Sequence, residues 1–126
     1  MTNKPTALIV EDNLDLAEST RRFLEIKRFS VLISDGKNVK EIIEENKPDI
    51  IILDIFLGQF DGREICRRLK ETKLTKNIPV VFLSANSRIN EITEEYNARD
   101  FIAKPFEMDY LLSKIRQILA ETTAET

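Results

Sequence analysis

Asp49-Ile-Ile-Ile-Leu-Asp54 is the segment that decides the fold, because four consecutive apolar residues lead directly into an aspartate. A strand that is apolar at every position is typical of a parallel sheet covered by helices on both faces. Shorter runs rich in apolar and β-branched residues occur at four other places, namely residues 7–10, 30–33, 80–83 and 101–103. These five runs predict five strands.

The segments between the strands have helical periodicity. The clearest is an apolar stripe near the end of the chain, with steps of three or four residues, formed by Met108, Leu111, Leu112, Ile115, Ile118 and Leu119. Asp61 and Ser87 are residue types that favour the start of a helix. Strand and helix therefore alternate five times, which predicts an α/β fold with an open parallel sheet between two layers of helices.

Length and composition exclude several classes of protein. The 126 residues suit one domain, with a core over about residues 6–120 and a frayed tail over 121–126. The chain has no histidine, which excludes a Ser-His-Asp triad and a zinc site that needs histidine. A net charge of −3 gives no general case for binding nucleic acid. No apolar segment resembles a membrane span or a signal peptide, so we expect a cytoplasmic protein.

One stretch is strongly basic, with Arg63, Arg67, Arg68, Lys70, Lys73 and Lys76. The favoured interpretation is a solvated helix face and the loop that follows it. A surface for docking a partner is the alternative.

Polar residues follow four of the five predicted strands. Glu11-Asp12, Asp54, Ser84 and Lys104 come directly after apolar runs. The carboxyl ends of the strands form the usual ligand site of such sheets. At an effective dielectric constant of 20, two carboxylates about 4 Å apart repel by about 4 kcal/mol. A hard divalent cation, Mg²⁺ or alternatively Mn²⁺, would compensate three such groups, because all the ligands are oxygen atoms.

This set of residues predicts phosphoryl transfer. A carboxylate can attack phosphorus and form an acyl phosphate, and Asp54 is the best nucleophile because it ends the most apolar strand. Lys104 would neutralise the transferring oxygens and Ser84 would donate a hydrogen bond to one of them. Glu11 and Asp12 are better suited to hold the metal.

The sequence resembles the receiver domains of response regulators, which belong to two-component signalling systems. Five segments carry the resemblance, which spans about residues 6–120: Leu8-Ile-Val-Glu-Asp-Asn13, Asp49-Ile-Ile-Ile-Leu-Asp54, Asp54-Ile-Phe-Leu-Gly-Gln-Phe-Asp-Gly62, Pro79-Val-Val-Phe-Leu-Ser-Ala85 and Ala98-Arg-Asp-Phe-Ile-Ala-Lys-Pro-Phe106. The resemblance implies a flavodoxin-like, doubly wound sheet of five parallel strands in the order 2-1-3-4-5, with five helices.

The resemblance also implies a role for each site residue. Asp54 matches the phosphoacceptor, which also binds the metal, and Lys104 matches the lysine that supports catalysis. Asp12 matches the direct Mg²⁺ ligand, Glu11 its acidic neighbour, and Phe56 the residue whose backbone carbonyl completes the ligand set. Ser84 and Phe101 match the two switch positions, and the bond between Lys104 and Pro105 is expected to be cis.

Five positions depart from the commonest family pattern. Phe101 lacks the hydroxyl of the frequent tyrosine, so packing must carry any switch signal. Gly58 stands where proline is usual, which predicts a more flexible loop after Asp54. Asn97 stands where glycine is usual, and asparagine tolerates the left-handed conformation better than most residues. Phe56 and Asn86 border the site at positions that tune the dephosphorylation rate in the family.

The expected partners follow from the resemblance. A histidine kinase or a histidine phosphotransfer protein would donate the phosphoryl group. A downstream protein, or a second copy of the chain, would bind the face formed by the fourth helix, the fifth strand and the fifth helix. We expect no direct contact with nucleic acid or membrane.

Three other functions remain open. One is an Asp-nucleophile phosphohydrolase, although such enzymes commonly carry a second Asp where Phe56 stands. Another is a flavodoxin-like binding module, whose phosphate loop would be poorly served by Glu11-Asp12. The third is a receiver scaffold that is not phosphorylated. We expect no turnover of outside substrates.

Overall fold

Residues 4–124 are described by the structure, a computed structural model of the chain. The strands are β1 Thr6–Val10, β2 Ser30–Ser34, β3 Ile50–Asp54, β4 Phe56–Leu57, β5 Phe60–Asp61, β6 Val80–Ser84 and β7 Asp100–Ala103. The helices are α1 Leu14–Ile26, α2 Val39–Asn46, α3 Gly62–Glu71, α4 Ile89–Glu95 and α5 Met108–Ala124.

Five of the strands form one parallel sheet in the order β2-β1-β3-β6-β7. Because β4 and β5 form a separate two-stranded hairpin, this order is the predicted 2-1-3-4-5 when only strands of the main sheet are counted. Every residue of β3 and β6 is buried, as expected for central strands covered on both faces.

Alternate residues of each strand enter opposite halves of the core. Leu8, Ile51 and Phe82 pack in a cluster with side chains of α2, α3 and α4. Ile9, Ile52 and Val81 pack in a second cluster with Leu24 of α1 and the apolar stripe of α5. The chain is therefore a three-layer sandwich, with three helices on one face of the sheet and two on the other.

Two boundaries differ from the sequence predictions. Ser87 does not cap α4. Asn86 forms a turn first, by accepting a hydrogen bond from the Arg88 N–H at 2.8 Å, and the helix begins at Ile89. The tail expected to fray from residue 121 remains helical as far as Ala124, and the Thr122 hydroxyl donates to the Ile118 carbonyl. Residues 125–126 of that tail lie outside the described residues.

Within residues 4–124, no helix is long and apolar enough to cross a membrane.

Candidate functional site

The pairing of the strands brings the predicted site residues to one edge of the sheet. Val10 lies beside Leu53, Asp54 beside Leu83, and Ser84 beside Ala103. The residues that end these strands or directly follow them therefore meet at their carboxyl ends, and they are Glu11, Asp12, Asp54, Ser84 and Lys104.

Asp54 lies at the centre of this group and only 4% of its surface is exposed. Its Oδ2 accepts a hydrogen bond from the Lys104 ammonium at 2.6 Å, and its Oδ1 accepts one from the backbone N–H of Phe56 at 3.0 Å. Lys104 also donates to Oε1 of Glu11 at 2.8 Å. One ammonium thus connects two buried carboxylates that come from different strands.

Three carboxylates converge beside this ammonium. One oxygen each of Glu11, Asp12 and Asp54 lies within 4.8 Å of the other two. Burial raises the pKa of Glu11, and the negative charge of Asp54 adds to this effect against the hydrogen bond from Lys104. Burial alone would lower the pKa of Lys104, but its bonds to Asp54 and Glu11 outweigh burial and raise it. The donors are all oxygen atoms, so the cluster fits Mg²⁺ or Mn²⁺.

The segment after Asp54 forms a short hairpin. Leu57 pairs with Phe60 across a two-residue turn, and Gly58 occupies the first turn position with φ of +65°. A positive φ at that position is what a type II′ hairpin requires, and glycine adopts it without strain. Glycine in place of proline therefore forms a different, defined turn that places Phe56 next to Asp54.

Gly62, the first residue of α3, packs directly against the backbone of Asp54. A Cβ atom added to Gly62 would lie 2.1 Å from the backbone oxygen of Asp54. The Gly62 N–H also donates to the Ile55 carbonyl at 2.8 Å. The sequence indicated a helix start at Asp61, whose Oδ1 does accept from the Arg63 N–H at 2.9 Å, but it gave no sign of this close approach.

The two predicted switch residues lie on neighbouring strands. Ser84 is buried, and its Oγ accepts a hydrogen bond from the backbone N–H of Asn86 at 3.0 Å. Phe101 lies beside Phe82 in the sheet and is half-buried against the core cluster of α2, α3 and α4. The Ser84 hydroxyl is therefore turned to the loop that leads into α4.

Two backbone features match what the resemblance implies. The peptide bond between Lys104 and Pro105 is cis. Asn97 has φ of 57°, the left-handed conformation for which glycine or asparagine is suited.

Comparison with known proteins decides the family. The family model described as the response regulator receiver domain matches residues 7–116. The chain belongs to this family. Receiver domains are signalling modules of two-component systems that interact with histidine kinases and downstream effectors.

Two relatives are proteins named response regulator MprA. The one from Mycolicibacterium vanbaalenii is 33% identical over 121 residues, which cover 94% of this chain and 52% of the relative. The one from Mycobacterium leprae is 34% identical over 118 residues, which cover 91% of this chain and 51% of the relative. This receiver chain thus spans about half the length of these relatives.

Solved structures share the same architecture. A signal receiver domain of a histidine kinase from Syntrophus aciditrophicus is 30% identical, with a TM-score of 0.84 over 93% of this chain and 91% of that one. A CheY-like receiver domain from Methanospirillum hungatei has a TM-score of 0.87 at 24% identity, over 98% of this chain and 99% of that one. The second likeness supports the fold alone.

Proposed function

We propose that this receiver domain accepts a phosphoryl group on Asp54 from a histidine kinase or a histidine phosphotransfer protein. The contact of the buried Asp54 carboxylate with Lys104 at 2.6 Å, beside two further carboxylates, carries the proposal. Each carboxylate oxygen of Asp54 accepts one hydrogen bond, so the orientation of the side chain is set before the phosphoryl donor binds.

The acidic cluster would hold one divalent cation, Mg²⁺ or Mn²⁺, through Glu11, Asp12 and Asp54. The fourth protein ligand would be the carbonyl of Phe56. In an antiparallel hairpin, hydrogen-bonded and non-hydrogen-bonded residue pairs alternate. The Gly62 N–H donates to the Ile55 carbonyl, so the next pair, Phe56 and Asp61, is not hydrogen-bonded and the Phe56 carbonyl points to the outer side of the hairpin. The Phe56 N–H points to the same side and donates to Asp54, which supports this assignment. When bound, the cation would supply positive charge for the phosphoryl oxygens.

Transfer requires no proton from the protein. A carboxylate oxygen of Asp54 attacks phosphorus, and the bond from phosphorus to the donor nitrogen, or to the acetate of acetyl phosphate, breaks. Lys104 moves from neutralising Asp54 to neutralising the phosphoryl group, and it stays paired with Glu11 at 2.8 Å in the ground state. The raised pKa of Lys104 keeps the ammonium charged at neutral pH.

The switch would operate through Ser84 and Phe101. The Ser84 hydroxyl, which accepts from the Asn86 N–H, would rotate toward Asp54 and donate a hydrogen bond to a phosphoryl oxygen. Phe101 is half-buried, and its ring can move further inward into the space that the Ser84 side chain vacates. The face formed by α4, β7 and α5 would then bind a downstream protein or a second copy of the chain.

Phe56 disfavours the phosphohydrolase alternative. Such enzymes commonly place an acid two residues after the nucleophile, whereas Phe56 carries an apolar side chain that is 57% exposed. A phosphorylated domain is also favoured over a mere scaffold, since a scaffold would not need to bury Asp54 and Glu11 around one lysine.

Labelling by acetyl phosphate tests the proposal. We expect the protein to gain one acid-labile phosphoryl group when Mg²⁺ is present and none with excess EDTA. Asp54→Asn should abolish labelling. Asp49→Asn is the matched control, because Asp49 directly precedes β3 at its opposite end, and it should be labelled as the wild type. Equal labelling of Asp54→Asn and wild type would contradict the assignment.

A further inference from the structure

The basic stretch between residues 63 and 76 divides into two parts in the structure. Arg63 pairs with Asp61 at 2.9 Å, and Arg67 pairs with both Glu64 and Glu71 of its own helix. These two arginines belong to a neutralised helix face. Lys70 and Lys76 lie instead in a concavity on the far side of the domain, where α3 ends and β6 and β7 begin.

The lining of this concavity is basic and polar. Its volume is about 290 Å³, and Lys70, Lys76 and Arg99 line it together with the amide side chains of Asn77 and Asn97. Among residues 4–124, none of those that line it is acidic. Arg99 also reaches Glu121 of α5 at 3.1 Å. The lining therefore offers the ammonium groups of Lys70 and Lys76 and two amides as hydrogen-bond donors to an anion, beside an Arg99 guanidinium that is already paired with Glu121.

Lys70 occupies an unfavourable environment for an ammonium group. Burial is the main cause that lowers its pKa; Cys66 acts in the opposite direction, and the like charge of Arg99 lowers the pKa by a smaller amount. Its Nζ has a long contact of 3.5 Å with the Lys76 carbonyl. A bound anion would offset both the lost hydration and the repulsion between Lys70 and Arg99.

We infer that this concavity binds a small phosphate-class anion with two or more negative charges, such as pyrophosphate. A volume of about 290 Å³ leaves room for a compact anion of this kind. The site lies at the amino ends of β6 and β7, whereas Asp54 lies at the carboxyl edge, so this inference does not depend on phosphorylation.

Amide NMR spectra recorded during a titration with pyrophosphate test the inference. EDTA is present, and sodium chloride of equal ionic strength is the reference. We expect saturable shifts at residues 70, 76–77 and 97–99, separate from any at residues 54–56 and 84–86. Shifts that do not saturate, that sodium chloride reproduces, or that occur only near Asp54 would overturn the inference.

Charge removal adds a second test. Lys70→Gln with Lys76→Gln should weaken binding by about tenfold or more, the scale of one lost charge-assisted contact. Lys73→Gln removes a charge from the same stretch but outside the lining, so it should leave the affinity within about twofold. Equal weakening by both changes would show general attraction to a basic surface and would overturn the site. A nucleoside diphosphate that binds more tightly than pyrophosphate would identify a nucleotide as the source of the phosphate.

Discussion

Gly62→Ala provides a sharp test of how the fold positions Asp54. The new Cβ would lie 2.1 Å from the Asp54 backbone oxygen and 2.8 Å from Cα of Ile55. Ordinary contacts of a Cβ atom begin at 3.4 Å, so both distances are far too short. Both atoms belong to the backbone in or directly after the central strand, so no side chain can rotate away. Overpacking of a core typically costs about 1–3 kcal/mol, and we expect about 3 kcal/mol here.

Urea unfolding at equilibrium measures this cost. With a slope of about 2 kcal/mol per molar urea, the midpoint should fall by about 1.5 M. Gly58→Ala is the matched control. Its Cβ would lie an ordinary 3.4 Å from Asp12, so it carries only the cost of φ at +65°, about 1–2 kcal/mol. A fall for Gly62→Ala that is no larger than that for Gly58→Ala would refute the reasoning.

Three further predictions concern charge and protonation. Asp12→Asn removes one of three clustered carboxylates, so without metal its free energy of unfolding should be about 1 kcal/mol higher than that of wild type. Added Mg²⁺ should raise the Tm of wild type and of the control Asp15→Asn but not that of Asp12→Asn. A Tm rise in Asp12→Asn equal to that of wild type would show that Asp12 is not a metal ligand. Lys104→Gln should slow labelling by acetyl phosphate about 100-fold, because the contact to Asp54 at 2.6 Å is lost, and a wild-type rate would show that Lys104 serves only folding. Burial raises the pKa of the Cys66 thiol from 9.0 to about 11, so its contribution to stability is complete below pH 9 and is lost as the pH rises through 11. Between pH 9 and pH 11 the free energy of unfolding of wild type should therefore fall by about 2 kcal/mol more than that of Cys66→Ala, and parallel curves would contradict the prediction.

The layers of the fold could be predicted because hydrophobic burial determines them. The continuous apolar run before Asp54 predicted a central strand, and the stripe from Met108 to Leu119 predicted a helix that packs on the sheet; both predictions are confirmed. The hairpin of β4 and β5 could not be predicted in the same way. Its strands have two residues each, and its turn depends on the φ of Gly58, which the residue types of so short a segment do not reveal.

The grouping of the site residues was predictable, but their contacts were not. The rule that strand ends meet at one edge placed Glu11, Asp54 and Lys104 together. That Lys104 contacts both carboxylates, and that the Ser84 hydroxyl accepts from Asn86, depends on rotamers and loop geometry that no spacing encodes. The close approach of Gly62 was missed for the same reason, because it arises from the packing of a helix start against a strand.

The most direct test of phosphorylation at Asp54 is to locate the acyl phosphate itself. The protein is labelled with acetyl phosphate and Mg²⁺ and reduced with borohydride, which converts an aspartyl phosphate to homoserine, and the peptides are then sequenced by mass spectrometry. We predict homoserine at position 54 alone, and none when EDTA replaces Mg²⁺. Homoserine at Asp12 or another carboxylate, or its absence from position 54 in protein that has gained a phosphoryl group, would contradict the assignment of Asp54 as the phosphoacceptor.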